Sequence, residues 1–175
     1  MPKPNSSFTV KSNSGLLRML ISVINVHVPG NQNSVTLNAI WDTGATNSSI
    51  TKKVSQQLGL INTGFAIVNT ANGPVRQKTF TVDIGLPNNL IIQGVVVTEI
   101  SALTSGCDAL IGMDIITLGD FSITNHKGNT CMSFRFPSCH EIDYVANPSF
   151  GITTIRNIPS GKPGSNFIPH KKKRK

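Results

Sequence analysis

Residues 40–50 read Ile40-Trp41-Asp42-Thr43-Gly44-Ala45-Thr46-Asn47-Ser48-Ser49-Ile50. The stretch starts as an apolar run, which ends in one carboxylate, a Thr-Gly turn and a small polar cluster. Asp42 is the only acidic residue among the first 82, so it does not belong to a charged, solvated face. A carboxylate at the end of an apolar strand either has structural partners or is kept for chemistry, and we expect chemistry.

The chain before Asp42 predicts two strands. Residues 16–28 are rich in β-branched side chains and alternate late in the run, so they predict a long strand that ends at Pro29-Gly30. Apolar and polar side chains then alternate through residues 35–41, which predicts a second strand leading directly to Asp42.

The chain after the Asp-Thr-Gly turn predicts a short helix. Within residues 48–59 an apolar side chain recurs every four positions, as on one face of a helix. Ser49 or Thr51 can cap the start of this helix, and Gly59 can end it.

The rest of the chain predicts more strands and a second helix. Five further short strands are predicted, at residues 65–68, 78–84, 90–100, 121–124 and 131–136. The first two flank a polar turn centred on Asn72-Gly73, so they predict a hairpin. Residues 109–119 predict a buried strand, a glycine, and a short apolar helix that Gly119 can end. About eight strands and two brief helices predict an all-β fold with a closed, barrel-like sheet.

The charge is concentrated near the C-terminal end. The net charge is +8, but seven of the sixteen Lys and Arg residues follow Asp143, the last acidic residue. The part before is nearly neutral, which argues against a nucleic-acid-binding body. We therefore predict an N-terminal extension at residues 1–14, one domain at residues 15–146, and a flexible basic tail at residues 147–175.

The sequence also bears on membrane insertion, localisation and metal binding. No stretch is apolar over the roughly 18 residues of a membrane span. The first residues hold no apolar signal region, so we expect a cytoplasmic protein, or one translocated by a route that the sequence does not show. Cys107, Cys131 and Cys139 are odd in number and lack metal-ligand spacing. We therefore expect reduced thiols, no metal site and no cofactor.

With these elements around it, the stretch at Asp42 resembles the active-site region of the retropepsin-like aspartic proteases, the single-lobe relatives of pepsin. The resemblance covers about residues 16–136. Its most specific pieces are Trp41-Asp42-Thr43-Gly44-Ala45-Thr46 and Leu110-Ile111-Gly112-Met113-Asp114-Ile115-Ile116. The helix directly after Asp-Thr-Gly is more similar to cellular and bacterial members than to retroviral ones.

The resemblance implies an aspartic endopeptidase that cleaves polypeptides without a metal ion. In this chemistry two carboxylates share one proton: the unprotonated one takes a proton from the attacking water, and the protonated one polarises the scissile carbonyl. The chain holds one Asp-Thr-Gly. The resemblance therefore implies a homodimer in which Asp42 meets its symmetry mate.

The residues after Asp42 take roles by the same resemblance. Thr43 would hydrogen-bond across the dimer, and Gly44 would let the backbone pass close and offer its N–H to the carboxylate. Ala45 and Thr46 would complete the active-site loop. Ala45 stands where pepsin-type lobes have a hydroxyl that bonds the aspartate, so we predict activity best near mildly acidic or neutral pH.

Two more parts of the site follow from the resemblance. Ile111 and Gly112 would pack beneath the active-site loop, with Gly112 allowing close approach of the two chain segments. The hairpin tip at Asn72, Gly73 and Pro74 would be the flap that closes over a substrate.

Asp114 marks a departure from the retroviral pattern, in which Arg precedes Asp or Asn at this point. Here the pair is Met113-Asp114. The sequence predicts that Asp114 caps the helix that follows, and that Asp108 and Asp120 are likewise cap or turn residues.

Two rival functions stay open. A catalytically silent member of the family would be a dimeric peptide-binding or scaffold module, but the intact Asp-Thr-Gly favours the protease. A nucleic-acid-associated protein would depend on the tail, which has no interleaved aromatic residues and therefore predicts at most weak contact with polyanions. That contact would use Lys171, Lys172, Lys173, Arg174 and Lys175.

Overall fold

The computed structural model describes residues 6–70, 73–87, 89–104 and 106–146. Within these ranges the chain is mostly β-sheet, as the sequence predicts. The strands are β1 (Ser6–Lys11), β2 (Ile21–His27), β3 (Ser34–Trp41), β4 (Ser49–Thr51), β5 (Gly64–Thr70), β6 (Gly73–Gly85), β7 (Ile91–Ile100), β8 (Ala109–Ile111), β9 (Asp120–Thr124) and β10 (Cys131–Phe136). The helices are α1 (Lys52–Gln57) and α2 (Met113–Ile116). None of the helices in the described ranges is long and apolar enough to cross a membrane.

Six of the strands form a closed ring. Neighbouring strands are hydrogen-bonded in the order β2-β3-β8-β4-β7-β6, and an additional pairing of β2 with β6 closes the ring. β3 runs parallel to β8 and β4 runs parallel to β7, whereas the other paired strands are antiparallel. β5 pairs with β6 and lies outside the ring. This arrangement agrees with the predicted barrel-like sheet.

The ring encloses a core that follows the alternation of its strands. Side chains of successive strand residues point to opposite faces of a sheet. In β3, Leu37, Ala39 and Trp41 are buried while the residues between them are more exposed. In β2, Ile24 and Val26 are buried in the same way. The alternating pattern before Asp42 therefore reports the inward face of the barrel.

A second, three-stranded sheet of order β1-β10-β9 packs against Trp41 at the end of β3. Its aromatic side chains surround Trp41, whose ring centroid lies 5.7 Å from Phe8, 5.5 Å from Phe121 and 5.3 Å from Phe134. The Trp41 indole N–H donates to the buried Ser22 hydroxyl at 2.9 Å. The residue directly before Asp42 is thus held by both sheets.

The first two strands differ from the sequence prediction. Residues 6–11, which the sequence placed in an N-terminal extension, form β1 and pair with β10. The predicted strand over residues 16–28 is shorter, because only Ile21–His27 is extended and paired. Gly15 has a φ of +86°, and the Leu17 N–H donates to the Thr130 hydroxyl at 2.9 Å. This segment crosses between the two sheets instead of extending β2.

Both helices are shorter than the sequence predicts. Ser49–Thr51 is a strand that pairs with β7 and β8, so α1 starts at Lys52, and Thr51 gives no side-chain cap. α2 ends at Ile116 rather than at Gly119. Gly119 serves a close approach instead, since a Cβ there would lie 2.0 Å from the Arg135 carbonyl oxygen.

Candidate active site

Asp42 lies at the exit of β3, beside the end of β8. Its backbone N–H donates to the Ile111 carbonyl at 2.9 Å, and its own carbonyl accepts from the Ala45 N–H at 3.3 Å. The Asp42 carboxylate is half-buried, and its Oδ1 accepts the Gly44 N–H at 2.8 Å. The sequence predicted this contact for Gly44. Thr43 is exposed at the turn.

The loop after Asp42 rests on the start of α2. The Met113 N–H donates to the Ala45 carbonyl at 2.8 Å, and the Asp114 N–H donates to the Thr46 carbonyl at 3.1 Å. Next to these bonds, a Cβ on Gly112 would lie 2.6 Å from the Asn47 carbonyl carbon. Such a distance requires the backbone to shift, so the two segments can meet only at a glycine.

A buried hydroxyl completes this contact. The Ser48 N–H and hydroxyl donate to the two carboxylate oxygens of Asp114 at 2.9 and 2.8 Å. The Ser48 oxygen in turn accepts the Gly112 N–H at 3.1 Å. Ser48 is fully buried, and a buried polar group needs such partners.

The position of Asp114 corrects the cap prediction. α2 starts at Met113 with no side-chain cap, and Asp114 stands in the first turn. Its carboxylate accepts the adjacent Ile115 N–H at 3.0 Å but mainly fastens Ser48 to the helix. Sequence reasoning assigned no role to Ser48, although a hydroxyl six residues after Asp42 was the available signal.

The predicted flap corresponds to the hairpin of β5 and β6. The strands pair from Gly64 opposite Thr79 to Thr70 opposite Gly73. Asn72 lies outside the described residues. Gly73 has a φ of +103°, which favours glycine, and its carbonyl accepts the Thr70 hydroxyl at 2.8 Å. Pro74 follows on the exposed side of β6.

Asp108 and Asp120 form hydrogen bonds away from the Asp42 loop. Asp108 accepts Lys53 Nζ at 2.7 Å and the Thr51 hydroxyl at 3.0 Å. The hydrogen bond from Lys53 is the main cause that lowers the pKa of Asp108.

Asp120 anchors the segment after β10. Its carboxylate accepts the Ser138 hydroxyl, the Arg135 guanidinium and the Cys139 N–H. These contacts, with that of Ser138 the largest, hold the pKa of Asp120 well below its usual range. Neither Asp108 nor Asp120 shares a contact with Asp42.

The sequence predicted reduced thiols and no metal site. Over the described ranges, no group of three or more His, Cys, Asp or Glu side chains could hold a metal ion. Cys107, Cys131 and Cys139 form no disulfide in the described part of the chain. Burial is the main cause that raises the pKa of Cys107, and the charge of Asp108 adds to it.

One protein-family model matches the central part of the chain. Residues 28–117 match the model of a family described as "gag-polyprotein putative aspartyl protease". A search of curated protein sequences gave no match.

Several solved structures are similar. A retropepsin-like aspartic protease from Rickettsia conorii is 18% identical, with 75% of this chain and 94% of that chain covered and a TM-score of 0.46. The EIAV protease, complexed with the inhibitor HBY-793, is 18% identical over 57% of this chain and 86% of its own, with a TM-score of 0.46. The retroviral protease-like domain of Ddi1 from Leishmania major is 18% identical over 63% and 91%, with a TM-score of 0.38.

Proposed function

Because this chain belongs to the gag-polyprotein aspartyl protease family, we propose that it is an aspartic endopeptidase that works as a homodimer. Family membership confirms the predicted resemblance to the retropepsin-like aspartic proteases. The observation that carries the proposal is the setting of Asp42. It is a half-buried carboxylate in an Asp-Thr-Gly loop, held from behind by β8 and α2.

The proposed reaction needs two such carboxylates. A second chain, related by a two-fold axis, brings its own Asp42 against the first, and like charges about 3 Å apart share one proton. The ionised member takes a proton from water as the oxygen attacks the peptide carbonyl, and the protonated member donates to the carbonyl oxygen. The exposed Thr43 and Gly44 lie at the dimer axis in this arrangement, with Thr43 bonded across it.

The proposed substrate is an extended polypeptide. It lies between the barrel and the hairpin of β5 and β6, which closes as a flap through Gly73 and Pro74 and excludes water. An extended chain offers its backbone groups to neighbouring strands, and apolar surface between barrel and flap would take its side chains.

Removing the Asp42 carboxylate tests the activity. Wild-type protein is incubated with reduced, alkylated casein from about pH 3 to 8, beside Asp42→Asn and the exposed-site control Glu141→Gln. We expect cleavage by wild type and the control, no cleavage by Asp42→Asn, and a maximum at mildly acidic to neutral pH. Equal cleavage by Asp42→Asn would reject the assignment. Absence of cleavage with retained casein binding would identify the silent peptide-binding module, and a maximum below about pH 3 would contradict the role given to Ala45.

Mixing experiments test the shared dyad. A mixed dimer of wild type and Asp42→Asn has one Asp42 carboxylate instead of two, so it lacks half of the proposed catalytic pair. Excess Asp42→Asn should therefore suppress wild-type cleavage, whereas excess Glu141→Gln should add to it. If Asp42→Asn leaves the wild-type rate unchanged while subunits exchange, each chain works alone and the shared dyad is wrong.

The proposed protease domain is followed by a basic tail. We propose that the catalytic domain spans residues 15–146, with support from β1, and that residues 171–175 make weak contact with polyanions. These five residues lie outside the described ranges. Retention on heparin that falls with salt, and that is lost on truncation after Ala146, would support the contact. Equal retention of both forms would exclude it.

A further inference from the structure

The nearly neutral body of the chain divides into two parts of opposite charge. Residues 1–82 hold seven Lys and Arg residues and one acidic residue, whereas residues 83–143 hold two Lys and Arg residues and seven acidic ones. Residues 43–82 hold four of the basic residues and no acidic one. The low net charge, which argued against a nucleic-acid-binding body, therefore conceals a basic region, and two of its cations lie on β6.

One face of the hairpin of β5 and β6 is exposed to solvent. Phe65 lies opposite Lys78 in the pairing of the two strands, and Ile67 lies opposite Arg76. Directly opposed residues of an antiparallel pair share a face of the sheet. All four side chains are exposed, that of Phe65 by 54% and that of Ile67 by 75%. Ala66, which alternates with them, is half-buried on the opposite face. We call the four exposed residues the outer hairpin face.

The outer hairpin face combines an aromatic ring with two cations. The Arg76 guanidinium carbon lies 3.8 Å from the Phe65 ring centroid, a cation–π contact that holds the guanidinium on this face. Lys78 stands across from the same ring on the neighbouring strand. Within the described ranges the salt bridges lie elsewhere in the protein, so neither hairpin cation is neutralised by one.

This combination favours a ligand that has both planar groups and negative charges. Bases of single-stranded nucleic acids stack on aromatic rings and on guanidinium planes, and their phosphates pair with Arg and Lys. An acidic peptide would neutralise the two cations but would leave the guanidinium and the Phe65 ring without a planar partner. A second copy of the outer hairpin face would bring like charges together, which disfavours its pairing with itself.

We propose that the outer hairpin face binds single-stranded nucleic acid. One base stacks on the Arg76 guanidinium, which the Phe65 ring supports from the other side. The adjacent phosphates pair with Arg76 and Lys78, and a neighbouring base covers the exposed Ile67. Such a face contacts base planes and phosphates rather than base edges, so it has little sequence preference. The interaction needs no chemistry at Asp42, so it stands or falls independently of the protease activity.

The first test removes the two cations. Binding of a fluorescein-labelled ten-nucleotide oligouridine to the full-length protein is followed by fluorescence anisotropy at several salt concentrations. Arg76→Gln with Lys78→Gln should weaken binding at low salt by about fivefold or more, and should lower the slope of log affinity against log salt by about 1.4, because each lost phosphate contact contributes about 0.7. The matched control, Lys11→Gln with Lys52→Gln, removes the same charge at exposed sites and should leave the slope unchanged.

The second test removes the aromatic ring without changing the charge. Phe65→Leu should weaken oligouridine binding by about fivefold, because it removes the ring that supports the stacked base. Tyr144→Leu, at a side chain that is 71% exposed outside the hairpin, is the control and should have no effect. Inorganic polyphosphate of ten units, used as a competitor, offers phosphates without bases, so Phe65→Leu should leave its binding unchanged.

A conservative variant covers a loss of stability in the hairpin. If Arg76→Gln with Lys78→Gln melts earlier than wild type, Arg76→Lys replaces it. This variant keeps the charge but loses the planar guanidinium, so it should still weaken oligouridine binding by about threefold.

Several outcomes would overturn the proposal. Equal changes in affinity and slope in the two Gln double variants would mean non-specific charge attraction. Unchanged oligouridine binding by Phe65→Leu, or an equal loss of polyphosphate binding, would exclude base stacking. Binding of a ten-residue Glu peptide as tight as that of oligouridine would assign the cations to an acidic protein partner. Absence of oligouridine binding by wild type at low salt would reject the site outright.

Discussion

At the scale of single residues, the candidate site depends on atoms that touch the Asp42 loop without belonging to it. Gly112 provides the space in which residues 45–47 pass over α2. Asp114 and Ser48 provide the polar contact that fixes this passage. Both features hold the loop that follows Asp42 against α2.

Gly112→Ala should disturb the loop directly. The added methyl group would lie within 2.9 Å of three backbone atoms of Ala45 and Asn47, so the chain must move. We expect a loss of about 1–3 kcal/mol in the free energy of unfolding. We also expect about a hundredfold fall in the rate of casein cleavage, because small displacements of reacting groups are costly.

Gly85→Ala is the matched control for this variant. A Cβ at Gly85 would meet its neighbours at an ordinary 3.4 Å. Denaturant unfolding and initial cleavage rates should therefore resemble wild type. If Gly112→Ala has the same stability and cleavage rate as Gly85→Ala, the close packing under the loop is not required for either property.

Asp114→Ala should leave both donors of buried Ser48 without an acceptor. The expected cost is about 1–3 kcal/mol in the free energy of unfolding. Asp114→Asn keeps one carbonyl oxygen and should lose less. Urea unfolding of the two variants, with Glu141→Gln as the control, measures the difference. Equal stability of Asp114→Ala and wild type would contradict the role assigned to this carboxylate.

At the scale of elements, the three-stranded sheet supports the strand that carries Asp42. β10 lies between β1 and β9, and its Phe134 is fully buried against Trp41 and Phe8. β1 therefore contacts the strand that carries Asp42, because its Phe8 ring packs against Trp41. Its sequence alone shows only a short alternation of Phe8 and Val10 after two prolines.

Phe134→Ala should be strongly destabilising. Loss of a fully buried aromatic side chain leaves a cavity beside Trp41, and such changes cost about 3–5 kcal/mol. Ile123→Ala on the neighbouring β9, where the side chain is 44% exposed, should cost much less. Thermal or urea unfolding would compare them. Equal effects would mean that the aromatic contact does not hold the two sheets together.

At the scale of the whole molecule, acid should loosen the segment that follows β10. The folded state lowers the pKa of Asp120 through Ser138, Arg135 and Cys139. Its contribution to stability is therefore present above the unfolded value of about 3.9 and is lost as the pH falls through the folded value. Because Asp120 is only partly buried, solvent screens its contacts and the effect should be modest.

Asp120→Asn tests this dependence. Its melting midpoint should lie below that of wild type near neutral pH, and the difference should shrink as the pH falls below about 4. Glu141→Gln, in the same segment, should follow wild type throughout. A difference that stays constant with pH would show that ionisation of Asp120 is not the source of its contribution.

Much of this protein follows from local sequence. Alternation identified β3, because one face of that strand is buried in the core. β7 and β10 were predicted as short strands bounded by turns. The Asp-Thr-Gly turn identified the candidate catalytic residue through the family resemblance that it carries together with the strand before it and the Ile-Gly element after it. The hairpin followed from turn chemistry at Asn72-Gly73. These signals lie within a few residues of the features that they predict.

Only the tertiary structure decided the rest. The sequence prediction placed β1 in an N-terminal extension and β4 in the first helix. Both are strands because β10 pairs with β1, and β7 and β8 pair with β4. Asp114 was predicted to be a helix cap, but in the structure it is the hydrogen-bond partner of Ser48, 66 residues away. Gly119 turned from a helix end into a point of close approach. The sequence by itself determined which residues alternate, turn and carry charge, because those are local properties. The fold determined which distant residues meet, because closing the ring sets their distances.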